Sequence, residues 1–153
     1  MKKLGLFISI TLFTGQVHAQ QLIYRDSLCY QVTSDSTVMI IRQDWSYDNY
    51  SGLTTLVVPE KIIDNGIEYD VTSISSEAFR YCTTLKSVTI PNSVTNIGIN
   101  AFAGCSNIAT LSYDGTISDW NTKVGYKVTE WYNGVSATVL TCTDGTIALA
   151  DAD

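Results

Sequence analysis

Val71-Thr-Ser-Ile-Ser-Ser-Glu-Ala-Phe-Arg-Tyr-Cys-Thr-Thr-Leu-Lys-Ser-Val-Thr-Ile90 and Val94-Thr-Asn-Ile-Gly-Ile-Asn-Ala-Phe-Ala-Gly-Cys-Ser-Asn-Ile-Ala-Thr-Leu-Ser-Tyr113 are one unit written twice, 23 residues apart and without a gap. Val71/Val94, Thr72/Thr95, Ile74/Ile97, Ala78/Ala101, Phe79/Phe102 and Cys82/Cys105 are identical, and Leu85/Ile108, Val88/Leu111 and Ile90/Tyr113 are apolar in both. Leu53-Thr-Thr-Leu-Val-Val-Pro59 repeats the end of the unit, Leu85 to Pro91, but 32 residues earlier. The nine extra residues surround Asp64-Asn65-Gly66, and Asn-Gly between apolar runs is the strongest short hairpin signal. One repeat therefore carries an inserted hairpin, Lys61–Ile63 turning back into Ile67–Val71.

A period in the twenties with apolar residues in an L-x-x-L-x-L pattern predicts a leucine-rich-repeat solenoid, β-rich and right-handed, with short helical turns on the convex side. Val88 and Ile90 point inward, Ser87 and Thr89 outward, as strand alternation requires. Pro91 closes the strand and Val94-x-x-Ile97 starts the return side. Ala101-Phe102 lies on a short helical turn, with Phe102 stacked under Phe79, and Gly104-Cys105 makes the corner. A single coil cannot bury its own apolar face, so the stack needs atypical units at its ends.

At the first end, Leu28–Val32 and Val38–Ile41 flank the polar turn Ser34-Asp35-Ser36 and read as a hairpin. Ser27 to Thr33 also echoes Gly66 to Thr72, which makes this hairpin a degenerate copy of the inserted one and an N-terminal cap. Trp45, Tyr47 and Tyr50 are expected to cover that cap. At the other end the period fails. Trp120 and Trp131 are expected to seal the core as a C-terminal cap, with Val139–Cys142 the final strand and Ala148–Asp153 a frayed tail.

Residues 1–19 read as a secretory signal: Lys2 and Lys3, the apolar run Leu4–Phe13, then Val17-His18-Ala19 before Gln20. The run is about half of the roughly 20 residues that a spanning helix needs. The expected chain after cleavage is a single domain, residues 20–153, with a cap over 20–52, repeats over 53–113 and a cap over 114–153. Losing Lys2 and Lys3 moves the net charge from −6 to −8. Such a balance repels nucleic acid and anionic lipid, so neither is an expected partner. The only histidine, His18, leaves with the signal. That removes Ser-His-Asp and Cys-His catalysis and histidine zinc ligation.

Pro91-x-Ser-Val-Thr-x-Ile-Gly-x-x-Ala-Phe-x-Gly-Cys-Ser106 resembles the repeat of BspA-type leucine-rich-repeat proteins. The ending Tyr113-Asp-Gly-Thr-x-x-x-Trp120 with Cys142-Thr-Asp-Gly-Thr-Ile147 is similar to their closing unit. The likeness covers roughly Leu53 to Ile147, of which about two repeats are clear. It implies a secreted or surface protein, of a family with members that adhere to host matrix proteins and other microbes.

The outward row of the strands, Thr55, Val57, Ser87, Thr89, Thr110 and Ser112, is the candidate binding face. Small β-formers are also what any exposed strand carries. Cys29, Cys82, Cys105 and Cys142 are an even count in an exported chain, which suggests disulfides. Cys82 and Cys105 share one repeat slot, however, so their side chains point the same way, and buried thiols are the expectation. No C-x-x-C occurs, and no metal or cofactor is expected. Asp114, Asp119 and Glu130 are the carboxylates that a glycosidase would need. Asp35 and Asp48-Asn49 are weak calcium candidates, and Asn49-Tyr-Ser51 fits a glycosylation acceptor. The expectation is a non-catalytic binding or adhesion module of the bacterial surface, taking a protein or glycan ligand. A structural envelope component, self-associating through strand edges and located at the surface or in the periplasm, is the alternative. A secreted hydrolase is the remote one.

Overall fold

The computed structural model describes residues 21–43, 50–124 and 130–149. Its strands are β1 (Leu22–Arg25), β2 (Leu28–Val32), β3 (Thr37–Ile41), β4 (Thr55–Val57), β5 (Lys61–Asp64), β6 (Ile67–Ile74), β7 (Ser87–Ile90), β8 (Asn96–Ile97), β9 (Thr110–Tyr113), β10 (Val139–Cys142) and β11 (Gly145–Ala148). A helix, α1 (Ile117–Lys123), lies between β9 and β10. The coils contribute to two ladders. One is the parallel run β4, β7, β9 and β10, closed by β11 in antiparallel; the other is the parallel run β3, β6 and β8, extended by β2 and β1 on one side and β5 on the other. In the last coil, α1 follows β9 where a return strand would stand. Four strands in one ladder mean four coils, two more than the clear sequence repeats.

The inward residues of the first ladder are Leu56, Val88, Leu111 and Leu140, all buried and in register. Those of the second are Val38, Val71 and Val94, then Ile40, Ile74 and Ile97. Both hairpins read from sequence are present: β2 pairs β3, and β5 pairs β6 around Asn65-Gly66. The echo between Ser27–Thr33 and Gly66–Thr72 lies one strand earlier than expected, however. The counterpart of β5–β6 is β1–β2, because Asp26-Ser27 and Asn65-Gly66 are the same two-residue turn with both φ values positive. The sheet then curls enough for Arg25 of β1 to reach β5, donating to Ile63 O at 2.8 Å and to Asp64 Oδ1 at 3.3 Å.

The corners are runs of single hydrogen-bonded turns. Ala78 N and Cys82 N donate to Ser75 O and Phe79 O, and Ala101 N and Cys105 N repeat this on Gly98 O and Phe102 O. Glu77, Tyr81, Asn100 and Gly104 take positive φ, and two left-handed residues per corner interrupt any helix. Consecutive corners are tied by Phe79 N to Ala101 O and Tyr81 N to Ala103 O, both 2.8 Å, and then by Phe102 N to Trp131 O, also 2.8 Å. Inside them runs an aromatic ladder. Tyr50 meets Phe79 at 4.8 Å, Phe79 stacks on Phe102 at 5.1 Å and 7°, and Phe102 meets Trp131 edge-on at 5.9 Å. Trp120 bridges Tyr113 and Trp131. Tyr50 is buried, as a covering residue should be; Trp45 and Tyr47 lie outside the described residues. The final strand is β11 rather than β10, so Ala148 belongs to a hairpin and not to a tail.

Where β6 and β8 turn into their corners the backbones nearly touch. A Cβ on Gly98 would stand 2.2 Å from Ser76 N and 2.7 Å from Ser75 C. Gly98→Ala is therefore expected to force two coils apart and cost about 1–3 kcal/mol, measured by urea unfolding. Gly52→Ala meets no neighbouring atom and carries only its backbone strain.

Two buried tyrosines differ in a second testable way. Tyr50 Oη donates to Ile41 O at 2.6 Å and accepts from Cys29 N at 3.0 Å, whereas Tyr30 Oη has no partner among the described residues. Tyr50→Phe should cost roughly 1–3 kcal/mol because it strands the buried Cys29 N and the half-buried Ile41 O, while Tyr30→Phe should be neutral or stabilising. Thermal unfolding of the two variants separates them.

Candidate recognition face

The outward side of the first ladder collects all six residues read from the sequence. Thr55, Ser87 and Thr110 pair across β4, β7 and β9 as one row; Val57, Thr89 and Ser112 form a second. Neighbouring strands lie about 4.8 Å apart and alternate residues about 6.7 Å apart, so the rows form a regular grid. Thr55, Val57 and Thr110 are exposed, and Ser87, Thr89 and Ser112 are half-buried between their neighbours. Ser87 Oγ donates to Thr55 Oγ1 at 3.3 Å. The grid is wider than the sequence suggested. Thr141 pairs Ser112, so Val139 and Thr141 carry both rows onto β10, and Thr146 faces Thr141 from β11. The 23-residue period hid this extension, because six additional residues separate Leu111 from Leu140.

The face is chemically mild. It holds hydroxyls and methyls, with Val57 63% exposed and Val139 42%, and no charge or aromatic ring. Its rigidity comes from below, through the buried Leu56–Val88–Leu111–Leu140 row. A second polar ladder at the strand entrance, missed in the sequence, fixes the coils further. Thr84 Oγ1 donates to Leu53 O at 3.0 Å and Asn107 Nδ2 to Thr83 O at 2.6 Å, and Ser136 Oγ donates to Ser106 O. Small polar residues at these slots look like ordinary loop residues until the stacking is known.

The acidic candidates have structural employment. Asp119 closes the capping box of α1, accepting from Thr116 N at 3.2 Å and from Thr116 Oγ1 at 2.7 Å, and pairs with Lys123 at 3.1 Å. These bonds hold its carboxyl below the usual range, the opposite of what a catalytic acid requires. Asp114 and Glu130 are exposed. Asp144, not singled out from sequence, accepts from Ile117 N at 2.8 Å and ties the two Asp-Gly-Thr segments together with Thr143 N to Gly115 O. Asp35 sits in the polar turn of the β2–β3 hairpin; Asp48 and Asn49 lie outside the described residues. Among the described residues, no group of three His, Cys, Asp or Glu side chains is placed to hold a metal ion. All four cysteines are buried thiols.

The Asp119 bonds have a pH signature. A carboxyl whose folded pKa is depressed adds stability that is present above its unfolded pKa of about 3.9 and lost as pH falls through the folded value. Asp119→Asn should therefore melt below the parent at pH 6, the gap closing as both are titrated below about pH 4. A gap independent of pH would mean that the carboxylate charge has no part in capping.

Comparison with known proteins gives the same architecture. Residues 61–133 match the family described as the BspA-type leucine-rich repeat region. A leucine-rich repeat protein from Bacteroides capillosus superposes with a TM-score of 0.56 at 23% identity, over 79% of this chain and 97% of that one. One from Bacteroides ovatus gives 0.53 at 18%, over 78% and 37%. A leucine-rich cell surface protein from Faecalibacterium prausnitzii gives 0.51 at 19%, over 74% of this chain and 26% of that one. This chain thus spans about a quarter of the Faecalibacterium protein and over a third of the B. ovatus protein. No curated protein matches it. With its repeats stacked as the pattern requires, this chain is similar over residues 61–133 to the BspA-type leucine-rich repeat region.

Proposed function

We propose that this protein is an exported, non-catalytic binding module of the bacterial cell surface, and that the two rows Thr55, Ser87, Thr110 and Val57, Thr89, Ser112, continued by Val139 and Thr141, are its recognition face. The observation that carries the reading is the grid itself. It is flat in chemistry and backed by the buried Leu56–Val88–Leu111–Leu140 row. Leucine-rich-repeat proteins generally act by binding other proteins. A protein or glycan ligand of the host matrix fits a rigid surface that offers hydroxyl donors at regular spacing. The assignments of a signal over residues 1–19, a right-handed course, caps over 20–52 and 114–153 and repeats over 53–113 belong to this proposal. No helix among the described residues is long and apolar enough to cross a membrane.

Thr89 lies at the middle of the grid. Thr89→Arg should leave the melting temperature within about a degree, as surface changes on a formed strand do. It should weaken binding at least tenfold to whichever matrix protein or glycan the parent retains in an immobilised panel. Equal binding by parent and variant would remove the face from consideration. Protease shaving of intact cells tests the location: loss of the protein from unlysed cells is expected, and full protection would exclude adhesion.

A second reading has its own observation. The first ladder ends at β4, an edge strand with Val57 exposed. A structural envelope component would assemble through such an edge. Concentration-dependent sedimentation that Val57→Lys abolishes would favour it over the monomeric binder.

A further inference from the structure

Cys82 and Cys105 occupy the same slot on successive corners, and the corners are tied backbone to backbone by Phe79 N to Ala101 O and Tyr81 N to Ala103 O, each 2.8 Å. Corners joined in this way bring equivalent Cα atoms to about sheet spacing, within the 4.4–6.8 Å that a disulfide spans. The thiols do not simply run parallel. Cys105 Sγ turns back toward the preceding coil and donates to Phe79 O at 3.0 Å, the same carbonyl that accepts Cys82 N at 3.1 Å. Both residues thus converge on one atom, while both side chains are buried.

The two sulfurs are also unequal. With its proton swung from Phe79 O to the neighbouring sulfur, Cys105 favours a thiolate at Cys82; burial opposes this and the Arg42 guanidinium supports it, while the same contact together with burial keeps the proton on Cys105. The other two thiols lie outside the pair. Burial pushes Cys29 up, and burial with nearby Asp144 pushes Cys142 up.

We propose that Cys82 and Cys105 form a site of reversible oxidation, in which a disulfide oxidant welds two successive coils. In the first step the Cys82 thiolate attacks one sulfur of the oxidant, and the other sulfur leaves as a thiolate. Cys105 then gives its proton to the oxidant thiolate released in the first step and displaces the second oxidant sulfur from Cys82, which leaves as a thiolate. The protein is oxidised by two electrons, and the oxidant disulfide is reduced to two thiols. Cys82, the more readily ionised thiol, starts the exchange, and Cys105 resolves it. The closed loop holds two coils together at the corner that carries the Phe79–Phe102 stack.

The test uses the folded protein in buffers of oxidised and reduced glutathione, quenched with acid, alkylated in denaturant and weighed. Two of the four thiols should become protected in oxidising buffer and return on reduction, with a cross-linked peptide joining Cys82 to Cys105. Cys82→Ser should abolish all protection, whereas Cys105→Ser should trap a glutathione adduct on Cys82. Alkylation of four thiols at every potential would overturn the proposal. So would a cross-link that includes Cys29 or Cys142, or protection seen only when the same experiment is run in urea. Circular dichroism of each serine variant shows that the chain tested is folded.

Discussion

Successive backbones approach within touching distance at the corners, and the rest of the molecule is arranged around that contact. At Gly98 there is no room for a methyl group, and directly inside it Phe79 and Phe102 stack almost parallel. The close approach fixes the distance between coils, and the spacing in turn fixes both parallel ladders. Once the ladders are in register, the inward leucine, valine and isoleucine rows have nowhere to go but against one another. The dispersion gained per contact is small and the number of contacts large, so the corner sets geometry while the rows supply most of the cohesion.

The ends solve a different problem. An interior coil has a neighbour on each side; a terminal one does not, and its apolar edge must be covered by something that is not a repeat. At one end of the described residues the β1–β2 hairpin extends the second ladder, and the Tyr50 hydroxyl pairs with Cys29 N and Ile41 O. At the other end two tryptophans fill the space, and α1 takes the place of a return strand. Its capping box and the Asp144 contact hold it there without strand pairing.

Much of this was legible from Val71 to Tyr113. Residues 23 apart pointed to the central inward rows, the Phe79–Phe102 stack, the corner at Gly104 and the face residues Ser87, Thr89, Thr110 and Ser112, because a period is a direct record of stacking; Thr55 and Val57 came from the match 32 residues apart. Asn65-Gly66 specified the inserted hairpin by turn chemistry alone. What stayed hidden lacked periodicity. The first coil shares only Val38, Ile40 and Leu53–Val57 with the pattern, and the last is lengthened around α1, so β10 and its quarter of the grid fell out of register. The corners carry positive φ at Glu77, Tyr81 and Asn100, and of these side chains only the asparagine announces it. The Asp144 and Thr84–Asn107–Ser136 contacts are long-range bonds from residues that read locally as loop. The recognition face is legible as a surface but not as a specificity, since hydroxyl rows carry little chemical signature.

The substitution of α1 for a return strand bears on how such a molecule can change size. A helix has no free edge to offer a neighbouring strand, so the β3–β6–β8 ladder stops there, while β11 folds back to close the other ladder. Duplication of a 23-residue unit is accommodated between the second and third coils, where both ladders are open to insertion and Gly98 already sets the pitch. Copied beyond α1, the same unit would find one ladder to join and not the other. Lengthening by internal duplication is thus directed to the middle of the stack, and lineages of this architecture would differ in the number of central coils while keeping their two ends.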